Sequence, residues 1–312
     1  MTAALPWISA DDAFARVGFG DAVRALQRDL SAGLDPSADF SRSILDVDSG
    51  QLLLMPSQSA EFVGVKVATV APGNPGVGKE RIQGVYLLMD SATLSPVAFL
   101  DGTALTTLRT QAVSAAAADH LVPASVDHLV VFGSGPQAWG HVEAMRAIRS
   151  LGHVSVIGRD QVRAAALVAR VQESGLGARV GSADDVRTAQ IIVCGTTAKE
   201  PLFDGSLVPD DSCTIAVGSH EPTARELPSS LMARAQVVVE DTGVALREGG
   251  DVLIPIGEGV LDAGSLVPMQ GIVTGAVAVD RSRPRVFSSS GMSWEDLVVA
   301  GEVYRKAGGG TP

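Results

Sequence analysis

The sequence has few cysteines and no long apolar run. Only Cys194 and Cys213 occur among 312 residues, too few for a disulfide framework, and they lack the spacing of a metal site. Both lie in or beside apolar segments, which is typical of small core residues in a reduced protein. No apolar run approaches the about 20 residues that span a bilayer, and the N-terminal segment lacks a basic stretch followed by an apolar one. We therefore expect a cytoplasmic protein with no metal site and no membrane partner.

Positive charge is also scarce. The chain has 24 Lys and Arg against 35 Asp and Glu, a formal net charge of -11 at pH 7. Binding of a nucleic acid depends on basic surface, so the composition gives little reason to expect such a partner. In contrast, 46% apolar content over 312 residues is enough for two domains, each with its own core.

Residues 129–145 have the order of a strand, a glycine turn and a helix. The turn has the pattern G-x-G-x-x-A and consists of Gly133, Ser134, Gly135, Pro136, Gln137 and Ala138. In this pattern Gly133 permits the turn, Gly135 lets a pyrophosphate approach the backbone, and Ala138 lets the helix pack closely on the strand. The helix N-terminus offers N–H groups to phosphates. The segment therefore predicts a dinucleotide site in a Rossmann-type domain.

The end of the next strand bears on the choice of cofactor. Residues 154–157 are apolar and are followed by Gly158, Arg159 and Asp160. At this position an acidic residue accepts a hydrogen bond from a free ribose 2′-hydroxyl, whereas an arginine suits a 2′-phosphate. Because glycine stands where the acid is expected and Arg159 follows, we predict a preference for NADP(H). NAD(H) stays possible through Asp160, and the alternative for Arg159 is a solvated loop charge.

The rest of the chain divides into a β-rich part and an alternating part. Short strands separated by turns predict an antiparallel or mixed sheet at residues 43–48, 51–55, 62–70, 82–89 and 96–100. A helix over residues 103–120 leads to the glycine turn, after which helices and strands alternate. A last helix, capped by Ser293, is expected to pack back on the first part. The predicted fold class is α/β: a Rossmann-type doubly wound parallel-sheet domain at 121–287, plus an α+β domain from 1–120 and 288–312.

Three cations lie in segments otherwise made of small or apolar residues. Arg42 begins a strand, Lys66 lies within GVKVATV, and Arg109 lies within TALTTLRTQAVSAAA. A buried isolated cation is costly, so each should reach water or meet an anion. Together they could hold a substrate carboxylate, with Lys66 as proton donor or charge stabiliser. The alternatives are a helix-surface or interdomain ion pair for Arg109 and a strand-edge gatekeeper for Lys66.

The runs GVKVATVAPGN, DGTALTTLRT and GSGPQA resemble the ornithine cyclodeaminase/mu-crystallin family, and the resemblance covers nearly the whole chain. It implies a homodimer in which the α+β domain binds substrate and makes the dimer, beside the Rossmann domain. It also implies that Arg42, Lys66 and Arg109 are the carboxylate-binding and proton-transfer residues. By position, the resemblance further assigns Met55 to the substrate pocket, and Ser290 and Gly291 to a segment near the nicotinamide.

His220 departs from the family pattern. In ornithine cyclodeaminases an Asp at this place engages the side-chain amine of the substrate, whereas alignment of the nearby Pro and Glu-Leu pair puts His220 here, next to Glu221. An imidazole is neutral or cationic near neutral pH and is a poor partner for an ammonium. We therefore expect a substrate without a distal amine, with His220 donating or relaying a proton. The alternative is a loop histidine without a chemical role.

The resemblance thus leads to an NAD(P)H-dependent reductase of a ketimine or cyclic imino acid, such as Δ1-pyrroline-2-carboxylate. Three alternatives stay open: ornithine cyclodeaminase, which converts L-ornithine to L-proline and ammonia with NAD as a catalytic cofactor; alanine dehydrogenase; and a non-catalytic NADPH-binding protein. The expected partners are a small imino or amino acid and a second copy of the chain.

Overall fold

The structure is a computed structural model that describes residues 5–219 and 221–309. Its contacts divide the chain into two compact units. The first unit consists of the described residues up to Ala112 and from Met292 onward, and the second runs from Val113 to Gly291.

The first unit contains β1 (Trp7–Ile8), α1 (Ala10–Arg16), α2 (Phe19–Ser31), β2 (Ser43–Val47), β3 (Gly50–Gln58), β4 (Phe62–Val70), β5 (Ile82–Asp90) and β6 (Pro96–Asp101). Helix α3 (Gly102–Leu121) follows β6 directly. The predicted domain boundary after residue 120 falls near the end of α3, whereas the contacts divide this helix between Ala112 and Val113.

The second unit contains β7 (Val126–Phe132), α4 (Pro136–Ile148), β8 (Leu151–Ile157), α5 (Gln161–Glu173), β9 (Gly177–Val180), β10 (Ile191–Cys194), β11 (Cys213–Ala216), α6 (Ser229–Met232), β12 (Gln236–Val239), α7 (Thr242–Glu248), α8 (Gly250–Gly257), β13 (Val267–Pro268), α9 (Met269–Val273) and β14 (Arg285–Ser288). The chain then returns to the first unit with α10 (Ser293–Lys306).

The sheet of the first unit has the order β1-β6-β5-β4-β3-β2. Its pairs are antiparallel except for β1 with β6. Along β4, alternate residues are buried, as expected for a strand with one covered face, and Lys66 belongs to the buried set. Helix α10 packs against β3, β4, β5 and α2. The buried face of β4 is therefore covered by a helix from the other end of the sequence.

The start of α10 differs from the prediction. Ser293 is the first helical residue instead of the cap. The Met292 N–H donates to Glu295 Oε1 at 3.1 Å, and the Trp294 N–H donates to Asp39 Oδ2 at 2.8 Å. Two carboxylates thus satisfy the first N–H groups of the helix, which a serine hydroxyl was expected to do.

The sheet of the second unit is parallel throughout and has the order β13-β12-β14-β11-β10-β7-β8-β9. In a sheet of this kind the carboxyl ends of all strands lie at one edge, where α/β proteins bind their ligands. The order from β9 to β11 is that of a Rossmann-type sheet, and helices alternate with the strands. The predicted fold class is confirmed.

Candidate active site

Lys66 and Arg109 meet two carboxylates of α10 inside the first unit. The Lys66 Nζ atom lies 2.6 Å from Asp296 Oδ2, and Arg109 Nη1 lies 2.6 Å from Glu295 Oε2. The second oxygen of Asp296 is 3.4 Å from Arg109 Nε. All four side chains are buried. The result is a compact cluster of two cations and two anions.

The strand-edge alternative for Lys66 is wrong, whereas Arg109 does form an ion pair, but a buried one within the first unit. Strand β4 lies between β3 and β5, so Lys66 is not at a sheet edge. Arg109 is only 6% exposed, so it does not lie on a helix surface, and its carboxylate partners belong to the same unit. Of the two outcomes expected for Lys66, contact with water or with an anion, the structure shows the second, through Asp296.

The environment of Lys66 brings the pKa of its amine closer to neutral pH. Burial lowers the pKa of Lys66 to about 8, and the charge of Arg109 acts in the same direction, whereas Asp296 opposes the decrease. A lysine with a pKa close to the working pH can both give and regain a proton. Lys66 is therefore suited to proton transfer.

The register of the sheet places Met55, Lys66 and Tyr86 side by side in a row across three strands. Met55 is directly opposite Lys66, and Lys66 is directly opposite Tyr86. Strand β2 begins at Ser43, which pairs with Leu54, so Arg42 does not begin the strand as expected but lies one residue before it. Directly opposite residues project from the same face of a sheet. The row thus contains two of the residues that the family resemblance selects, Met55 and Lys66, together with Tyr86.

Tyr86 was not found by the sequence analysis. It is fully buried, and its hydroxyl has no hydrogen-bond partner within the described residues. The ring occupies the space above Gly64, where a Cβ would collide with the phenol oxygen. The sequence contained one signal, a large polar aromatic residue in an otherwise aliphatic strand beside a strand glycine.

The glycine turn of the second unit has the geometry that a dinucleotide requires. Gly133 has φ +121°, and a Cβ there would lie 2.8 Å from the carbonyl oxygen of Gly195. Gly135 is the N-cap of α4, where no side chain caps the helix, and a Cβ there would meet nothing within 4 Å. Ala138 is fully buried against the strand. Open space in front of uncapped helix N–H groups fits the pyrophosphate of a dinucleotide.

The residues after β8 differ in what they offer a ribose. A Cβ on Gly158 would lie 3.3 Å from Ser134 Oγ, so little room exists for a larger side chain. Arg159 is exposed. The carboxylate of Asp160 accepts the N–H groups of Val162 and Arg163 at 3.0 and 3.1 Å, as the cap of α5. Asp160 therefore has a structural partner already, which weakens its expected role at the ribose.

Glu240 organises the segment that follows β14. Its carboxylate is buried and accepts the Ser289 hydroxyl together with the N–H groups of Ser290 at 3.2 Å and Gly291 at 3.0 Å. The predicted residues Ser290 and Gly291 thus lie in a turn held by an acid that the sequence analysis did not select. The available signal was a carboxylate directly after an apolar strand.

Two further buried acids hold the ends of the segment that contains position 220. Glu226 accepts the N–H groups of Thr196 at 2.7 Å and Gly218 at 2.8 Å. Asp251 accepts the N–H groups of Glu226 and Leu227 at 2.8 and 2.7 Å. Burial raises the pKa of Glu226 and raises that of Asp251 to about 7. His220 itself lies outside the described residues.

Within residues 5–219 and 221–309, no group of His, Cys, Asp or Glu side chains is arranged to hold a metal ion. In the same ranges no helix is both long enough and apolar enough to cross a bilayer.

Comparison with known proteins identifies relatives of this chain. Residues 21–311 match the model of the ornithine cyclodeaminase/mu-crystallin family. A Δ1-pyrroline-2-carboxylate reductase of Bacillus cereus is 38% identical over 264 residues, which are 82% of this chain and 81% of that protein. The ketimine reductase mu-crystallin of Mus musculus is 33% identical over 259 residues, or 82% of this chain and 80% of that protein.

A solved structure with the same fold is also similar to this chain. The Δ1-pyrroline-2-carboxylate reductase of Thermococcus litoralis, solved with NADH and L-proline, superposes with a TM-score of 0.90 at 26% identity. The superposition covers 97% of both chains.

Proposed function

Because this chain belongs to the ornithine cyclodeaminase/mu-crystallin family, we propose that it is an NAD(P)H-dependent reductase of a C=N bond next to a carboxylate. The substrate is Δ1-pyrroline-2-carboxylate or a similar cyclic or linear ketimine, and the product is the amino acid. The observation that carries the proposal is the buried Lys66, 2.6 Å from Asp296. Reduction of an imine needs a proton at nitrogen, and a lysine of this kind can supply it.

The substrate residues have distinct roles in this proposal. Arg42 and Arg109 bind the carboxylate, for which the planar guanidinium is the best partner. Lys66 protonates the imine nitrogen, and Met55 lines the pocket beside it in the sheet register. His220, which is not among the described residues, donates or relays a proton.

The cofactor residues lie in the second unit. A bound nicotinamide cofactor supplies the hydride that the imine carbon receives. The turn from Gly133 to Ala138 holds its pyrophosphate, and Ser290 with Gly291 contacts the region of the nicotinamide. Glu240 fixes this last segment through the hydrogen bonds that it accepts. The protein residues thus bind and orient the cofactor.

We further propose that NADP(H) is preferred over NAD(H). Arg159 is exposed directly after Gly158, where it can reach a 2′-phosphate. Asp160 is occupied by the start of α5, and the space near Gly158 is limited by Ser134. Both observations disfavour recognition of a free 2′-hydroxyl by an acidic side chain.

The proposed assembly is a homodimer. Strand β2 is at one edge of its sheet and exposes Ile44, Leu45 and Val47 by 50%, 49% and 51%. An exposed apolar edge strand is a surface that another chain readily covers. Sedimentation analysis tests the assembly: Leu45→Lys should shift a dimer toward monomer, and a monomeric native protein would contradict it.

The proposed location is the cytoplasm. Cys194 and Cys213 are both free and buried, which is the usual state in a reducing compartment. Cell fractionation with detection of the native protein tests this, and recovery from an oxidising compartment would contradict it.

The enzymatic proposal is tested by mixing purified protein with NADPH and Δ1-pyrroline-2-carboxylate and following the nicotinamide absorbance. We expect oxidation of NADPH and formation of proline. Lys66→Met should lose turnover and still bind NADPH, whereas Lys79→Met, which changes an exposed lysine of the same unit, should act as the native enzyme. Full activity of Lys66→Met would refute the mechanism. Ammonia release from ornithine with NAD, without imine reduction, would favour a cyclodeaminase instead.

A further inference from the structure

The proposed reduction consumes one proton from water in each turnover, and its donor has almost no contact with water. Lys66 is 2% exposed and Asp296 is fully buried. After Lys66 has given its proton, the amine must be charged again through neighbouring groups. The charged groups beside it are Arg109 of α3 and Glu295 and Asp296 of α10, and a further acid, Asp39 of the segment before β2, binds the start of α10.

Asp39 is half-buried, whereas Glu295 and Asp296 are fully buried. Its Oδ2 atom accepts the Trp294 N–H at 2.8 Å, two residues before Asp296 on the same helix. Burial raises the pKa of Asp39, and the charge of Asp296 acts in the same direction. The two carboxylates therefore lie close enough to influence each other, one beside Lys66 and the other toward the surface.

Two hydroxyl groups lie along this side of the sheet. Ser57 is opposite Gly64 in the register, and the phenol oxygen of Tyr86 lies above that same glycine. The Ser57 hydroxyl makes no well-formed hydrogen bond within the part of the chain that the structure describes, but it lies near enough to favour the charged form of Asp39. Burial raises the pKa of Tyr86 well above its usual value, and both Asp296 and Asp39 contribute. Tyr86 thus keeps its proton, and its side chain lies on the same face of the sheet as Lys66, which it faces directly in the register.

The hydroxyl of Tyr86 is not needed to fill the space that the ring occupies. A buried hydroxyl without a partner is unfavourable, and phenylalanine would fill the space above Gly64 without this cost. Among described residues the phenol oxygen has no hydrogen-bond partner. A buried hydroxyl that is free to change partners is what a proton carrier requires.

We propose that Asp39, Ser57 and Tyr86 form a proton-entry path that recharges Lys66 through Asp296. This inference rests on the proposed reductase function. In each turnover the imine carbon gains hydride from NAD(P)H, and the C=N π electrons form a bond to the proton that Lys66 releases. The neutral Lys66 amine takes a proton from the path, and Asp39 takes one from water. NAD(P)H, the imine and one proton thus give NAD(P)⁺ and the amine.

Asp39→Asn separates this path from a purely structural role of Asp39. The amide oxygen still accepts the Trp294 N–H, but an amide does not take up a proton in this pH range. We expect kcat to fall about tenfold or more, within the range for loss of an acid–base group, while KM changes little. The solvent deuterium isotope effect on kcat should increase, and formate or imidazole buffer should restore part of the rate. Asp35→Asn removes an exposed carboxylate from the same segment and should match the native enzyme.

Tyr86→Phe provides an independent second variant that keeps the ring above Gly64. We expect an unchanged or higher Tm together with a lower kcat that depends on buffer concentration. If both variants keep the native kcat, isotope effect and buffer independence, the path is refuted and Asp39 is only a helix cap. A native protein that oxidises no NADPH with the imine refutes the function itself, which is a different result from active native protein with unaffected variants.

Discussion

The Nζ atom of Lys66 lies 2.6 Å from Oδ2 of Asp296, although 230 residues separate them in the sequence. The contact joins an internal strand to the first turn of the last helix. It ties the proton affinity of the lysine mainly to one carboxylate, because burial and Arg109 lower the pKa of Lys66 and Asp296 makes the largest opposing contribution.

This contact predicts the pH dependence of the reduction. Lys66 must be protonated to act as donor, so kcat/KM should fall as the pH rises through about 8. In Asp296→Asn the attraction that raises the pKa of Lys66 is lost, and the alkaline limb should move about 1 unit or more to lower pH. Glu295→Gln should move it less, because Glu295 contributes less to that pKa. Identical limbs in all three proteins, measured from pH 6 to 10, would contradict the role of Lys66.

Gly135→Ala should separate cofactor binding from folding. An alanine Cβ would meet no atom within 4 Å and the φ of -94° suits alanine, so the Tm of the cofactor-free protein should not change. The methyl group would occupy the space proposed for the pyrophosphate, and the Kd for NADPH should rise about tenfold or more. Titration calorimetry gives the Kd, with Gly76→Ala as a control in another open loop position. Unchanged affinity would place the phosphates elsewhere.

Gly133→Ala should instead destabilise the fold. The φ of +121° is strained for alanine, and the Cβ would lie 2.8 Å from a backbone oxygen. We expect a loss of about 1–3 kcal/mol in the free energy of unfolding. Denaturant titration of the two glycine variants in parallel gives this comparison, and equal stability would be inconsistent with the turn.

Arg159→Ala should change the choice of cofactor. Loss of a charge-assisted contact to a 2′-phosphate should raise KM for NADPH about tenfold or more and leave KM for NADH nearly unchanged. Arg187→Ala removes a comparably exposed arginine from the same unit and serves as the control. An unchanged ratio of the two KM values would assign Arg159 to the solvated surface.

His141 predicts a loss of stability in acid. Its Nδ1 donates to the Gln137 carbonyl at 2.8 Å, so Nε2 accepts from Ser114 at 3.0 Å and the ring is neutral. Burial lowers the pKa of His141 to about 4, whereas the unfolded chain binds this proton near 6.5. The contribution of His141 to stability is thus complete above pH 6.5 and is lost as the pH falls toward 4, at up to about 1.4 kcal/mol per pH unit. His141→Gln should flatten this dependence in urea titrations, and a slope equal to that of the native protein would contradict it.

The sequence identified several features because each is local. Lys66 disrupts an apolar alternation, the glycine turn has a strand before it and a helix after it, and β4 has its predicted bounds. The partner of Lys66 was not predictable, since no periodicity relates residues 230 positions apart. Ser293 was wrongly selected as a cap because Asp39, which is distant in sequence, supplies a carboxylate instead.

The buried acids of the second unit were missed for a related reason. Glu226 and Asp251 lie in a region of short helices, where glycine and proline interrupt any pattern. Their role comes from backbone N–H groups in two connections, one after β10 and one after β11. Such a network is a property of the folded chain and leaves no spacing in the sequence.

The position of α10 has a consequence for the synthesis of this protein. The ribosome releases Lys66 and Arg109 early, but Glu295 and Asp296 follow only after the whole second unit. Until then two cations face an apolar sheet without their carboxylates, which is an expensive arrangement. The first unit therefore completes its fold last, although its strands are made first, and the lysine and arginine acquire their carboxylate partners only when the final helix has emerged.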